Sequence, residues 1–411
     1  MTKEFLNGNA VVGQSGGPTA AINATLAGVI RGFFAYGKGN TLYGMRNGME
    51  GFLEERLVNL NERFAKAEDI DLLENTPAAA LGSCRKKLPE VEGNEDYYEK
   101  IFTLFRKYNI RYFFYIGGND SMDTVAKLSK YSKVNDYEMR FIGVPKTIDN
   151  DLMGTDHTPG FGSAAKYVAV TMAEIIRDCA VYTKPAVTVV EIMGRDAGWL
   201  TASAAIGRVV NGVEPDLLYL PERNFSMEEF LEDVQAKLDE KPNVVVAVSE
   251  GIHFADGRYV GEGQQSGVAD VFGHKYLSGT GKMLETIVKE KLGCKVRSVE
   301  LNISQRCAAH LLSSVDIEES VRVGKAAAKA ATEGASCVMM TTDRVSTDPY
   351  ISEVGMADVQ DIANQTRHVP AEYINERGNH VTDECCRYLQ PLIMGERQPK
   401  YEGGLPVHVI I

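Results

Sequence analysis

The chain has 411 residues, 44% of them hydrophobic and 24% charged, with a formal net charge of −12. That composition builds a large core without disulfide or metal staples, over two or three domains at about 150 residues each. The acidic balance argues against a general nucleic-acid or acidic-membrane surface, although a local cluster of Arg and Lys can override it for a small anion.

Seven Cys are scattered with no CxxC pair, so free thiols are expected and no zinc or disulfide framework is signalled. Neither an apolar leader core nor a run of 18 apolar residues occurs, and the expected setting is cytoplasmic. Asn9 to Gly13 (NAVVG) reads as a strand, followed by GQSGGPTAAIN and a helix to about Tyr36. Strand, Gly turn and helix can gather backbone N–H groups and a positive dipole end. With neither GxxxxGK[ST] nor a good GxGxxG, the segment reads as simply as a tight turn that needs Gly.

Residues 53–76 are charged, helix or loop. LGSCRKKLPE (81–90) is a second Gly turn, either a solvated basic turn or one that aims Arg85 at an anion. Glu99 to Lys107 is predicted helical. Arg111 to Ile116 (RYFFYI) is a continuous apolar run, as expected of a strand covered on both faces. It ends at GGNDSMDT (117–124), which opens a helix to about Tyr131. The next strand, Phe141 to Val144, stops at Pro145 and gives way to Lys146, Thr147, Asp149 and Asp151. A cation, a hydroxyl and two carboxylates directly after a buried strand suit a ligand site, or else a turn with self-capping Asp residues.

A loop rich in Gly and Pro leads to a helix from about Ser163. Ala186 to Ile192 is a strand ending at MGRDAG (193–198), and Asp216 to Leu220 is a short strand. Ser226 and Glu229 form a capping box before a helix to about Leu238. Asn243 to Val248 is a strand ending at Ser249, Glu250 and Gly251. Residues 252–280 are Gly-rich and expected to be a loop or lid. A helix (282–292), a strand (295–301) ending at NISQR, an Ala-rich helix (316–332) and a strand (337–341) follow, and past Asp343 the pattern is mixed. The alternation implies a mainly parallel sheet with crossover helices, whose strand ends share one edge.

Arg85, Lys146, Arg195, Arg297 and Arg306 all fall at or near predicted strand ends. So do Asp120, Asp149, Asp151, Glu250 and the Gly turns at 16–17, 82 and 117–118. This inventory suits phosphoryl transfer between two phosphorylated molecules, which runs on positioning and charge neutralisation, usually with Mg²⁺.

GGNDS, PKTIDND, MGRDAG, SEG and the R-x8-R from Arg297 to Arg306, in this order, resemble the phosphofructokinase family. The resemblance runs from Ser15 to Arg306, most of the chain. It implies an α/β fold of two Rossmann-like lobes with mainly parallel sheets and the active site in the cleft between them. Residues 1–162 plus about 310–370 would form the phosphoryl-donor lobe, and 163–309 plus about 371–411 the sugar-phosphate lobe. It also implies that Asp149 is the general base toward the sugar 1-hydroxyl, with Thr147 and Asp151 beside it. Met193, Gly194 and Arg195 would meet the sugar phosphate, Arg195 also steadying the transferring phosphoryl group. Glu250 would bond sugar hydroxyls, Arg297 and Arg306 would grip the 6-phosphate, and Gly16, Gly17 and Arg85 would face the donor. Mg²⁺, a cytoplasmic glycolytic role and a homo-oligomer (dimer or tetramer) are implied as well, with no nucleic acid or membrane as partner.

Two positions bear on the donor. Members that use ATP resemble GGDGS and PGTIDND, whereas Asp120 and Lys146 stand here in place of those Gly. Asp120 would fill the room a nucleotide's α-phosphate needs, and Lys146 suits the terminal charge of a small inorganic donor. Together they resemble the pyrophosphate-using branch, in which fructose 6-phosphate and pyrophosphate give fructose 1,6-bisphosphate and phosphate reversibly.

There are departures from the family pattern. Asn119 stands where most members have a Mg²⁺-binding Asp, which leaves Asn119, Asp120 and Asp151 as alternative ligands. Ile303 replaces a His or Tyr at the sugar phosphate, and QRCA (305–308) replaces QRGG. Ala186 stands where some members lend an Arg to a neighbouring subunit, with Lys184 the candidate substitute. The competing readings are an ATP-dependent enzyme of the family and a catalytically weak regulatory subunit. Asn119 would suit the latter, whereas Asp149, Arg195 and Lys146 count against it.

Overall fold

The computed structural model describes residues 5–262, 279–363 and 365–411. Most of the loop or lid expected in the Gly-rich stretch, residues 263–278, lies outside the described residues.

Among the described residues fifteen strands occur, the last three of them two-residue pieces near the C-terminus. In the first part of the chain these are β1 (Asn9–Gln14), β2 (Leu42–Met45), β3 (Leu57–Asn59), β4 (Ile110–Gly117) and β5 (Arg140–Pro145). In the second they are β6 (Ala186–Ile192), β7 (Leu217–Tyr219), β8 (Asn243–Ser249) and β9 (Lys295–Glu300). Then come the two-residue β10 (Leu312–Ser313), β11 (Val338–Thr347) and β12 (Tyr350–Asp358).

A seven-stranded sheet runs β12-β11-β5-β4-β1-β2-β3, and a four-stranded one runs β7-β8-β6-β9. Every pairing in the smaller sheet is parallel, as are β11–β5, β5–β4, β4–β1 and β1–β2. The two-lobed, mainly parallel α/β reading therefore holds. The two outer pairings, β11–β12 and β2–β3, are antiparallel.

The apolar runs become central strands because both faces are covered. On one face, the helices Ile22–Tyr36 and Ser314–Thr332 bury Val12, Tyr112 and Phe114. On the other, the helices Glu95–Lys107 and Asn119–Ser132 bury Val11, Phe113 and Phe141. The first helix pair packs backbone to backbone: a Cβ on Gly28 would lie 2.2 Å from the Val321 carbonyl oxygen, and one on Gly324 2.2 Å from that of Thr25. Ser226 makes the N-cap half of the expected capping box, its Oγ accepting from the Glu229 N–H ahead of the helix Met227–Glu240. The tail reaches both lobes. Cys385, Cys386 and Leu389 join the core around Trp199, whereas Val409, expected with the sugar-phosphate lobe, packs on the first sheet's core and donates to Thr76. All seven Cys are free thiols.

Register sets what meets at the sheet edges. Gln14 lies opposite Ile116, Gly117 opposite Pro145, and Ile192 opposite Ser249. The loops after β1, β4 and β5 therefore emerge side by side, as do those after β6 and β8.

Candidate active site

These five loops line one cavity of about 480 Å³. It holds Gly16, Gly17, Arg85, Asn119, Asp120, Lys146, Thr147, Asp149, Asp151, Met193, Arg195, Glu250 and Arg306. Each of these was expected at the site. Gly194 takes part through its backbone, donating its N–H to Glu250 Oε1 at 3.2 Å.

The donor-side wall is built from turns. Ser15 donates its N–H to the Ile116 carbonyl, and Gly16 donates to that of Cys84, which brings the loop carrying Arg85 alongside. Gly16 has φ +76°, open to Gly at no steric cost. A Cβ there would lie 3.4 Å from Lys146 Nζ, and one on Gly17 would lie 3.3 Å from Arg306 Nη1. The helix after this turn starts only at Ile22. The helix N-terminus at the cavity is instead that of Asn119–Ser132, whose first turn carries Asp120 in its favourable dipole position.

Lys146 is 3% exposed and donates from Nζ to the Gly17 carbonyl at 2.6 Å. Burial lowers its pKa to about 8, with Arg85 and Arg306 pushing the same way while Asp149 and Asp151 pull back. After it, Thr147 Oγ1 accepts the Asp149 N–H at 3.1 Å. Asn150 follows with a left-handed φ of +55°, and its side-chain oxygen takes the Thr158 N–H at 3.1 Å. Burial raises Asp149, and neighbouring Asp196 adds to this against Lys146 and Arg195. Burial and then Asp149 push Asp151 up to about 7.

The opposite wall is the loop after β6, braced by the loop after β8. Ser249 Oγ donates to the Gly194 carbonyl. A side chain on Gly251 would strike the Arg195 carbonyl oxygen at 1.9 Å, which explains the small residue after Glu250. Gln305 accepts the Met193 N–H at 3.2 Å, fixing NISQR and hence Arg306 beside this wall. Burial above all, then Asp149 and Glu191, raises Glu250 to about 8.

Arg297 is the exception. It pairs with Thr188, four residues before β6 reaches the cleft, and lines a separate cavity of about 290 Å³ with Tyr182, Lys184 and Ala186. Because β9 runs parallel to β6, only its Glu300 end points toward the cleft, and Arg297 sits near the strand's start. Within this chain the structure does not bring Arg297 to Arg306, with which it was expected to grip the 6-phosphate. Ile303 is 56% exposed.

Several lining residues went unread in the sequence: Ser15, Thr19, Lys87, Asp196 and Thr366. Asp196 had a signal, being the residue after Arg195 in MGRDAG. Thr366 had none.

Mg²⁺ fits this wall on one observation. Asn119 commits its amide nitrogen to the Gln365 carbonyl at 3.0 Å, so its buried Oδ1 is fixed as an acceptor and finds no partner among the described residues. No three His, Cys, Asp or Glu side chains gather as a metal cage among the described residues. Mg²⁺ does not require one, since it is commonly held by one or two side chains plus substrate phosphates.

A cleft between two mainly parallel sheets, with Gly turns on one wall and both cations and carboxylates on each, defines a site for phosphorylated small molecules. The chain belongs to the phosphofructokinase family, whose profile matches residues 9–331. It is 41% identical over 407 residues, 98% of this chain and 96% of the relative, to a pyrophosphate–fructose 6-phosphate 1-phosphotransferase of Methylococcus capsulatus. It is 40% identical to one of Halomonas elongata, over 97% of this chain and 94% of the relative. A crystal structure of a pyrophosphate-dependent phosphofructokinase from Nitrosospira multiformis superposes with a TM-score of 0.88 at 38% identity, covering 98% of this chain and 96% of that one. No helix among the described residues is long and apolar enough to cross a membrane.

Proposed function

We propose that this chain transfers a phosphoryl group from pyrophosphate to O1 of fructose 6-phosphate, giving fructose 1,6-bisphosphate and phosphate, and runs in both directions in glycolysis. The names of the relatives support both substrates. The observation that carries the donor is the wall at Asp120 and Lys146. The register of β4 against β5 sets the turn before Asp120 beside Lys146, where an ATP-using site would have two Gly.

In this reading Asp149 accepts the 1-hydroxyl proton as that oxygen attacks phosphorus. The bond from phosphorus to the bridging oxygen breaks, and phosphate leaves. Burial raises the basicity of Asp149, while Lys146 and Arg195 oppose that rise, and a raised basicity suits a general base. Lys146, Arg85, Arg195 and Arg306 neutralise the charge of the phosphates from both walls. Asn119 Oδ1, with Asp120 or Asp151, would hold Mg²⁺, which supplies charge neutralisation of the donor when bound. Glu250 meets the sugar hydroxyls and Arg306 its phosphate.

Assaying the purified chain with pyrophosphate and with ATP tests the proposal. Turnover with pyrophosphate and little with ATP is expected, and robust turnover with ATP alone would overturn it.

A further inference from the structure

The turn that presents Asp149 and Asp151 is centred on Asn150, a non-Gly residue in the left-handed region. Such a conformation persists only where its surroundings over-determine it, and a change at Asn150 would swing both carboxylates. Two of the groups that fix it come from a distant segment, residues 365–369. The Arg367 N–H donates to the Asp151 carbonyl at 2.8 Å. The Arg367 guanidinium donates to the Asn150 carbonyl at 3.4 Å.

Arg367 is itself held on every side. Its guanidinium lies over the Trp199 ring at 4.3 Å and donates to the Tyr388 hydroxyl at 3.0 Å. That hydroxyl donates onward to the Asp156 carbonyl at 2.6 Å, and Trp199 Nε1 donates to the Arg367 carbonyl at 3.0 Å. Neighbouring residues anchor the segment at both ends. The Gln365 carbonyl accepts from Asn119, and the Val369 N–H donates to Glu222 at 2.9 Å. The segment thus ties the N-terminus of the donor-side helix and the core around Trp199 to the turn between them. Thr366 faces the cavity, and Arg367 is not among the residues that line it.

We propose that Arg367 is a positioning residue for the reaction, setting the conformation of the Asp149–Asn150–Asp151 turn without touching either substrate. This rests on the reading of Asp149 as the base. A misplacement of about 1 Å at such a group costs about a hundredfold in rate.

Steady-state kinetics with pyrophosphate and fructose 6-phosphate on Arg367→Met, Arg367→Lys and Asp149→Asn test it. Met keeps an apolar stem over Trp199 and removes the guanidinium. Its kcat is expected to fall about a hundredfold with both KM values within about threefold of the parent. Arg367→Lys, able to reach only one acceptor, is expected to recover part of that loss. If Arg367→Met does not fold, Tyr388→Phe carries the test by deleting one hydroxyl that orients Arg367, with kcat expected to drop about tenfold at unchanged KM. An unchanged kcat in the folded variant, or a raised KM at unchanged kcat, overturns the assignment. Loss of activity in Asp149→Asn alongside full activity in Arg367→Met would sink the positioning role alone. Full activity in Asp149→Asn would sink the reading beneath it.

Discussion

If Lys146 holds the donor as proposed, pyrophosphate binding is titratable in an accessible pH range. Burial, then Arg85 and Arg306, brings its pKa down to about 8, against the pull of Asp149 and Asp151. Substrate affinity refers to the free enzyme, so this value governs how much cation is available to meet the donor. Between pH 7 and pH 9 the charged fraction falls from about nine-tenths to about one-tenth. The KM for pyrophosphate should therefore rise about tenfold across that interval and about tenfold per pH unit beyond it. Pyrophosphate titrates too, so the decisive comparison is with Lys146→Arg, whose guanidinium stays charged throughout while the donor's own titration is unchanged. The assay is initial rate against pyrophosphate concentration at saturating sugar phosphate, for both proteins, at half-unit steps of pH. A KM that stays flat in the parent, or rises equally in Lys146→Arg, would refute the argument that this buried ammonium holds the donor.

Two further outcomes are expected. Asp149→Asn should lower kcat by about 10²–10⁴-fold while both KM values change little, since a general base acts on the chemical step; rates near the parent's would mean that another group takes the proton. His157 gives a stability prediction. Burial alone would lower its pKa, but Asp156 at Nδ1 (2.8 Å) and Glu319 at Nε2 (2.6 Å) overcome that and raise it to about 9. A His held above its unfolded value stabilises fully below about pH 6.5 and loses that contribution as pH climbs through about 9, a change of about 3 kcal/mol. Denaturant titrations of the parent should show stability falling across that window, and His157→Gln should make the fall shallower, above all beyond about pH 8, where Asp151 and Glu250 have already titrated. The same slope in both proteins would exclude His157 as its source.

The parts legible in the sequence share a physical cause. RYFFYI, FIGV and AVTVVEI are apolar on both faces because helices cover both sides of their sheets, and each run stops where the chain reaches the cleft. Other parts had no such mark. The hairpin of β11 and β12 stands partly off the sheet, with Val345 and Met356 more than half exposed, so neither continuous apolarity nor clean alternation identifies it. The position of Arg297 was not legible, because spacing from Arg306 says nothing about which end of a strand a residue occupies. A shift of three residues along β9 spans about 10 Å, enough to leave the cleft. Residues 365–369 are held by backbone N–H and carbonyl groups, which carry no sequence signature, and by the guanidinium of Arg367, a lone Arg in an irregular segment that no spacing links to the site.

The structure also changes what Lys146 means for donor choice. From the sequence, Asp120 reads as filling the room of a nucleotide's α-phosphate and Lys146 only as meeting the terminal charge of a small donor. In the folded chain Lys146 is a counter-charge to Asp149 as well as a wall of the donor site. Burial and Asp196 already push Asp149 toward its protonated form, and Lys146 is the first group opposing them. Replacing it with Gly would open space for a larger donor and, in the same step, remove the first charge opposing the protonation of the base. Donor selection and base strength are coupled through one ammonium group. A route from this site to ATP therefore needs a cation restored near Asp149 as well as room beside Gly118.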